Sequence, residues 1–429
     1  MSSHVPFVAL ALALTVAPPA IARQAVPVAV AGQVVDTPLT VPIDHARPEL
    51  GRGVIHLESG APFDPAKPTV LVVADGQQFY VQRGRVATIQ NDSFGPELNV
   101  IGVIGRGTSK AILDWAAPEG RVNWPRAMQA FASRQWVEDI EAARRAVAGD
   151  APVMIYGVSG GGLLAHQYLA AHGDKVSRAV VGTSPVAGLS AALGLRHDHF
   201  WDELGSQDPK LQPLLLEALK KGTLPRPILI QLLQRQNFFV PREKLGAERA
   251  ALIQEMARGD EAALARRREE YQVDAVQRML DSPAGIPIRV RLYELVRPVV
   301  PDESVLTRAV LPDLENQATI AGPLLEAERR GDIAAPVLDL AAPGAVTAPM
   351  LMLAGRWDHT VDYRTQISLA ARYPAARLLL LDDDHMLEHF KQQGLMARVV
   401  TAFLAHGPGS PAMDALDARL RRSIWTEGP

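Results

Sequence analysis

Three runs of the chain are largely apolar on both faces rather than alternating, Thr69-Val70-Leu71-Val72-Val73-Ala74, Asn99-Val100-Ile101-Gly102-Val103-Ile104 and Pro152 to Tyr156, and Val176 to Gly182 reads as another buried strand. Such runs predict buried strands of a largely parallel sheet, covered by helices on either side. Ser133 to Ala148 supplies a crossover helix, with Val137, Ile140, Ala143 and Val147 on one face and Glu138, Glu141 and Arg144 elsewhere. Strand and helix alternate at α/β spacing. Ahead of these runs, the Val/Pro-rich stretch Ala25 to Thr40 is expected to begin the sheet. Arg52 to Ser59 alternates, with Val54, His56 and Glu58 against Ile55 and Leu57, and reads as an edge strand.

The texture changes at Val186. From there to Gly344 no buried strand is evident, and the chain is helical and rich in Leu, Arg and Glu. Lys210 to Lys221 gathers Leu214, Leu215, Ala218 and Leu219 on one face and stops at Gly222. Asp260 is placed to cap one long helix reaching Met279, whose Arg266 to Glu270 charge run reads as a solvated face. Sheet texture returns at Pro349 to Ala354 and again at Arg377 to Leu381, with helices at Tyr363 to Ala371 and Leu395 to His406. The tail, Gly407 to Pro429, is Gly/Pro-rich and then basic, and is expected to pack weakly. The predicted architecture is an α/β core over residues 23–186 and 347–429, with residues 187–346 inserted as a helical cap that roofs a pocket.

Length and charge narrow the partners. At 429 residues the chain exceeds the usual size of one compact domain, and a net charge of −3 argues against the strongly basic face that nucleic acid requires. There is no cysteine, hence no disulfide, thiol nucleophile or thiolate metal site. Pro6 to Val16 is an apolar run too short to span a bilayer as a helix, and Ala20-Ile21-Ala22 offers the small residues a signal peptidase accepts. A signal peptide over residues 1–22 is expected, although no Lys or Arg precedes the run. The expected location is periplasmic or secreted, free of the membrane once the signal is removed.

Candidate chemistry sits at strand ends. Gly157-Val158-Ser159-Gly160-Gly161 joins a buried strand to a helix ending near Gly173, the Gly-x-Ser-x-Gly elbow that lifts a serine hydroxyl to a helix N-terminus. The bare pattern also occurs as a plain Gly-rich turn. Asp358, in Gly355-Arg356-Trp357-Asp358, and His385, in the loop Asp382-Asp383-Asp384-His385, follow later buried strands. Serine, aspartate and histidine in that chain order suit a hydroxyl nucleophile, a base and its orienting carboxylate. Asp362 competes with Asp358, and His359 and His389 compete with His385. For the oxyanion, Gly160 would give one backbone donor and Gln77 the other, with Gly76 permitting the bend. Three adjacent carboxylates cannot converge from one strand end, so neither a metal nor a cofactor is expected.

With these residues in place the chain resembles a known group. Val41-Pro42-Ile43-Asp44, Arg106-Gly107-Thr108-Ser109, Val137-Glu138-Asp139-Ile140, the elbow and Gly355-Arg356-Trp357-Asp358 are similar to landmarks of α/β hydrolases of the proline iminopeptidase and tripeptidyl aminopeptidase type. The resemblance spans Val41 to Gly182 and Ala348 to His406. It implies an α/β-hydrolase fold, serine exopeptidase activity and a cap whose acidic side chains hold the substrate's free amine. Glu294, beside Tyr293, is a candidate anchor for that amine, set against the plain reading of a glutamate on a helix surface. The family's Gly-Gly-Pro-Gly oxyanion turn is replaced here by Asp75-Gly76-Gln77-Gln78, a departure that bears on peptidase specificity. The expected function is hydrolysis of an amide or ester in a small molecule or short peptide, aminopeptidase first and carboxylesterase or another small acyl hydrolase second. A non-catalytic binding protein on the same scaffold is the remote alternative, disfavoured because Ser159, Asp358 and His385 are all present.

Overall fold

The computed structural model describes residues 32–74, 80–195, 200–201, 208–300, 310–337 and 340–420. The expected signal peptide therefore lies outside the described residues, as do Gly76 and Gln77. Eight strands form one sheet: β1 (Asp36–Pro42), β2 (Arg52–Ser59), β3 (Thr69–Val73), β4 (Asn99–Ile104), β5 (Val153–Val158), β6 (Val176–Gly182), β7 (Met350–Gly355) and β8 (Ala376–Leu381). Their spatial order is β1-β2-β4-β3-β5-β6-β7-β8. β2 pairs antiparallel with both neighbours, and every pairing from β4 to β8 is parallel.

The burial of each strand follows its neighbours. β4 and β7 are buried at every position, as strands covered on both faces must be. β2 alternates, but it is not an edge: β1 covers its outer side through seven paired positions, Asp36 to Pro42. Alternation here reports one solvated face rather than an unpaired rim, and the edge expectation is corrected on that ground.

Helix α1 (Ser133–Ala148) is the crossover into β5, and α2 (Gly160–His172) leaves the elbow. Between β6 and β7 come α3 (Leu211–Lys221), α4 (Arg226–Phe239), α5 (Arg242–Arg258), α6 (Glu261–Glu270), α7 (Val273–Asp281), α8 (Gly285–Val296) and α9 (Pro312–Arg329). After β7 follow α10 (Tyr363–Ala370), α11 (Leu395–Thr401) and α12 (Pro411–Leu420). Asp260 does cap a helix, accepting from the Ala263 N–H at 3.0 Å. That helix ends at Glu270, because Gln272 turns left-handed at φ 54° and a second helix starts behind it. The single long helix of the sequence reading is thus two.

The helices of the insertion divide between two cores. α8 and α9 send Ile288, Leu292, Leu314 and Ile320 into the core that covers the sheet. Leu215, Leu229, Leu252 and Tyr271, from α3 to the end of α6, pack around a core of their own. The tail corrects a further expectation. Met413, Leu416 and Leu420 of α12 are buried in the sheet's core, so the helix is held by its apolar face despite the Gly/Pro-rich approach. Met413→Ala should lower the unfolding free energy by about 2–5 kcal/mol in a denaturant titration; a loss below about 0.5 kcal/mol, as at an ordinary surface site, would contradict this packing.

Candidate active site

Ser159 stands between β5 and α2 with φ 52° and ψ −128°, a backbone conformation that a side chain other than glycine's adopts only under constraint. Three contacts impose it. The Ser159 N–H donates to the Gly182 carbonyl at 2.9 Å, and its carbonyl accepts from the Gly162 N–H at 2.8 Å. Gly157 lets α2 close on β5, since a Cβ there would fall inside 3.0 Å of the Gly161 carbonyl.

The partners arrive from β7 and β8. The Asp358 Oδ1 accepts from the N–H groups of Thr360 and Val361, both at 2.8 Å, which fixes the carboxylate and leaves Oδ2 for His385 Nδ1 at 2.8 Å. His385 Nε2 lies 3.0 Å from Ser159 Oγ. The three side chains form one continuous relay, and the ring of Phe238, at the end of α4, stands edge-on to the imidazole at 6.0 Å. Burial pulls the His385 imidazole down, but the Asp358 charge and hydrogen bond, with Asp313 and Asp384 behind them, outweigh it and hold the pKa above the ordinary 6.5.

The competing residues are engaged elsewhere. Asp362 caps α10 and pairs with Arg364 at 2.5 Å. His389 is exposed and bonded to Gln393, and His359 is buried outside the cavity lining. The three successive carboxylates diverge: Asp382 accepts from Trp357 Nε1 at 2.6 Å, Asp383 from the Phe390 N–H at 2.8 Å and Asp384 from the Met386 N–H at 2.9 Å.

Ser159 and His385 open into a cavity of about 380 Å³ under the insertion. Its wall is mostly apolar, with Val276 and Leu280 from α7, Ile288, Leu292 and Leu295 from α8, and Ile320 from α9. The polar exceptions include Gln234, Arg235, Asp313 and Gln317. Asp313, 1% exposed, accepts from Gln234 Nε2 at 3.1 Å and Gln317 Nε2 at 2.8 Å. Sequence reading missed it because an acid just after a proline in a helix's first turn is what an ordinary helix start looks like.

Glu294 and Tyr293 are placed otherwise than expected. Ile288, Leu292 and Leu295 form the cavity stripe of α8, and at about 100° per residue Glu294 sits well off that stripe. Its carboxylate accepts from the Ser133 N–H at 2.9 Å and hydroxyl at 2.5 Å, and from Arg291 Nη1 at 3.0 Å. Arg291 in turn donates to the Ser133 hydroxyl and, at 3.1 Å, to the Gly160 carbonyl. Tyr293 donates to Glu328 at 2.8 Å. Both residues tie helices together and neither lines the cavity, so the substrate-binding assignment is corrected. Gly160 begins α2 beside Ser159, whereas Gln77 and Gly76, as noted, lie outside the described residues.

No protein-family model matches the sequence, and no curated protein matches it. Among solved structures, a proline iminopeptidase from Mycobacterium smegmatis is similar at 18% identity and TM-score 0.42, covering 88% of this chain and 100% of that one. An esterase from Exiguobacterium antarcticum aligns at 14% identity and TM-score 0.41, over 81% and 94% of the two chains. An enol-lactonase from Burkholderia xenovorans gives 17% identity and TM-score 0.40, over 81% and 95%.

The imidazole's environment makes a measurable statement. A proton titration of His385 followed by NMR should give a midpoint above 6.5, and Asp358→Asn should drop it below that value because burial then acts with the main opposing charge removed. A midpoint unmoved by Asp358→Asn would mean that the carboxylate does not set the charge on the ring.

Taken on the chain's own geometry, a mostly parallel sheet with an antiparallel second strand, a strained serine elbow after β5 and a helical insertion after β6 lead to one architecture. The protein has the α/β-hydrolase fold.

Proposed function

We propose that the protein is a serine hydrolase that cleaves an amide or ester of a small substrate through an acyl-enzyme on Ser159. The observation that carries this reading is the relay from Ser159 Oγ through His385 to Asp358 in the cavity under the insertion. A serine hydroxyl is a poor nucleophile at neutral pH, and His385 Nε2 at 3.0 Å is positioned to take its proton as the oxygen attacks the substrate carbonyl. Asp358 steadies the imidazolium that results. The negative charge developing on the carbonyl oxygen meets the N-terminus of α2, where the Gly160 N–H is the expected donor. His385 then returns the proton to the leaving nitrogen or oxygen. Water then gives a proton to the same nitrogen of His385 as its oxygen bonds the acyl carbon, and the acyl–Oγ bond breaks as His385 returns that proton to Ser159, freeing the acid.

Aminopeptidase action is the leading form. Its support is Asp313, a buried carboxylate on the cavity wall whose charge is felt at His385, suited to a substrate ammonium close to the scissile bond. The predominantly apolar wall favours a second form, a carboxylesterase for an uncharged acyl group.

Ser159→Ala should reduce turnover of either substrate class by about 10³-fold or more without loss of the fold. Wild type, Ser159→Ala and Asp313→Asn are to be compared on aminoacyl anilides, N-blocked anilides and short acyl esters. For an aminopeptidase, Asp313→Asn lowers kcat/KM on free-amine anilides by about 10–100-fold while the blocked ones change little. Ester turnover with inert anilides would establish the esterase form, and Ser159→Ala activity within about tenfold of wild type would overturn the mechanism.

The pH profile has a fixed sign. The base must be unprotonated, so kcat/KM falls as pH drops through the pKa of His385, which lies above 6.5. An acid limb centred at or below that value would contradict His385 as the base.

A further inference from the structure

Arg235 is the arginine of the cavity lining, and several other arginines of the insertion are neutralised by carboxylates. Arg226 is paired with Glu315, Arg267 with Glu248 and Glu255, Arg268 with Asp274, Arg291 with Glu294 and Arg297 with Glu328. Arg235 lines the same cavity as Ser159 and His385, and no carboxylate among the described residues pairs with it. Its Nε donates to the Tyr271 carbonyl at 2.7 Å, and its guanidinium lies 4.7 Å from the centre of the Phe239 ring. Those two contacts hold the side chain in place: the first meets the carbonyl end of α6, and the second is a cation resting on an aromatic face. They occupy Nε and the flat of the group. The two Nη nitrogens make no hydrogen bond among the described residues.

A half-buried guanidinium without a counter-charge is costly. Burial pulls its pKa down to about 10, so it still carries its charge at neutral pH. A purely structural tether to the Tyr271 carbonyl would not need that charge, since a glutamine reaches a carbonyl as well. The Nη edge is the fork that grips a carboxylate through two parallel bonds. The wall is mostly apolar surface, so an anion docked there would be little screened.

We propose that Arg235 is an anion site for the substrate, receiving a carboxylate that is not the group undergoing cleavage. This inference rests on the reading of the cavity as the substrate site and sharpens it. With Asp313 for an ammonium and Arg235 for a carboxylate, the substrate class is a short zwitterionic peptide or peptide-like amide with its terminal carboxylate free. Neutral acyl esters and C-terminally amidated peptides are the disfavoured counterparts.

Binding and turnover are to be read separately. Phenylacetate and its isosteric neutral amide, phenylacetamide, are titrated calorimetrically into wild type, Ser159→Ala, Arg235→Lys, Arg235→Met and Lys391→Met, Lys391 being the other cation on the wall. In parallel, free-acid and C-terminally amidated dipeptides are offered as substrates. The carboxylate should bind wild type and Ser159→Ala about 10–100-fold more tightly than the amide. That ratio should fall to near one in Arg235→Met, be retained in part in Arg235→Lys, and survive in Lys391→Met. The free-acid dipeptide should show a matching advantage in KM. A merely structural Arg235 would weaken both probes together and leave the ratio intact, which would overturn the proposal. So would a ratio that follows Lys391. A carboxylate preference that depends on Arg235 in a protein with no Ser159-dependent turnover would keep the anion site and remove the hydrolase reading instead.

Discussion

The structure depends on how closely two loops at the carboxyl edge of the sheet can approach. Gly355 closes β7, and a Cβ there would fall inside 3.0 Å of the Asp383 and Asp384 carbonyls. Because glycine leaves that space open, the loop after β8 lies directly on the loop after β7. The Arg356 N–H donates to the Leu381 carbonyl at 2.9 Å, and the Trp357 N–H to the Asp383 carbonyl at 3.0 Å. One residue beyond the second contact stand Asp358 and Asp384, the neighbour of His385. Their positions are set by backbone pairing before any side chain chooses a rotamer. Ser159 meets them from β5 because β5, β6, β7 and β8 lie in parallel sequence, each ending at the same edge. The 3.0 Å between His385 Nε2 and Ser159 Oγ is a consequence of strand register.

This explains which parts of the molecule could be read from residues alone. Strands buried on both faces announce themselves as unbroken apolar runs, and the residues after them fall at one edge by topology, so Ser159, Asp358 and His385 are legible from order and position. The insertion has no such rule. Its helices share one amphipathic texture, and whether a polar residue faces the cavity or a neighbouring helix turns on rotations that no periodicity reports. Glu294 and Leu295 are adjacent, yet one meets Ser133 and the other lines the cavity. Asp313 and Arg235 carry no motif at all. The misread edge at β2 has a different source: alternation distinguishes a solvated face from a buried one, while edge status depends on a partner strand that sequence does not locate.

Charges in the insertion fall into two sets with different physical roles. One set is internally neutralised and joins helices. In it, Arg291 and Glu294 form a buried pair, 0% and 2% exposed, that bonds both the start of α1 at Ser133 and the Gly160 carbonyl at the start of α2. Placing an unpaired arginine so near the elbow would bias the field at Ser159 toward anions, whereas the paired form leaves a nearly neutral strut. The strut also explains how a helix inserted after β6 can be registered against a turn that follows β5.

The second set, Asp313 and Arg235, faces the cavity, and the packing gives it different support. Asp313 is oriented by the amides of Gln234 and Gln317, and Arg235 is held by a carbonyl and an aromatic ring, which fix a cation without cancelling its charge. A carbonyl and a ring are partners a fold can use when a cation must stay fixed and stay charged. Both mounts are built largely on α4, through Gln234, Arg235 and Phe239, and the same helix ends with Phe238 edge-on to His385. One rigid element therefore carries the supports for both cavity charges and the ring beside the imidazole, so a change in its packing would be felt at the polar wall and at the relay together.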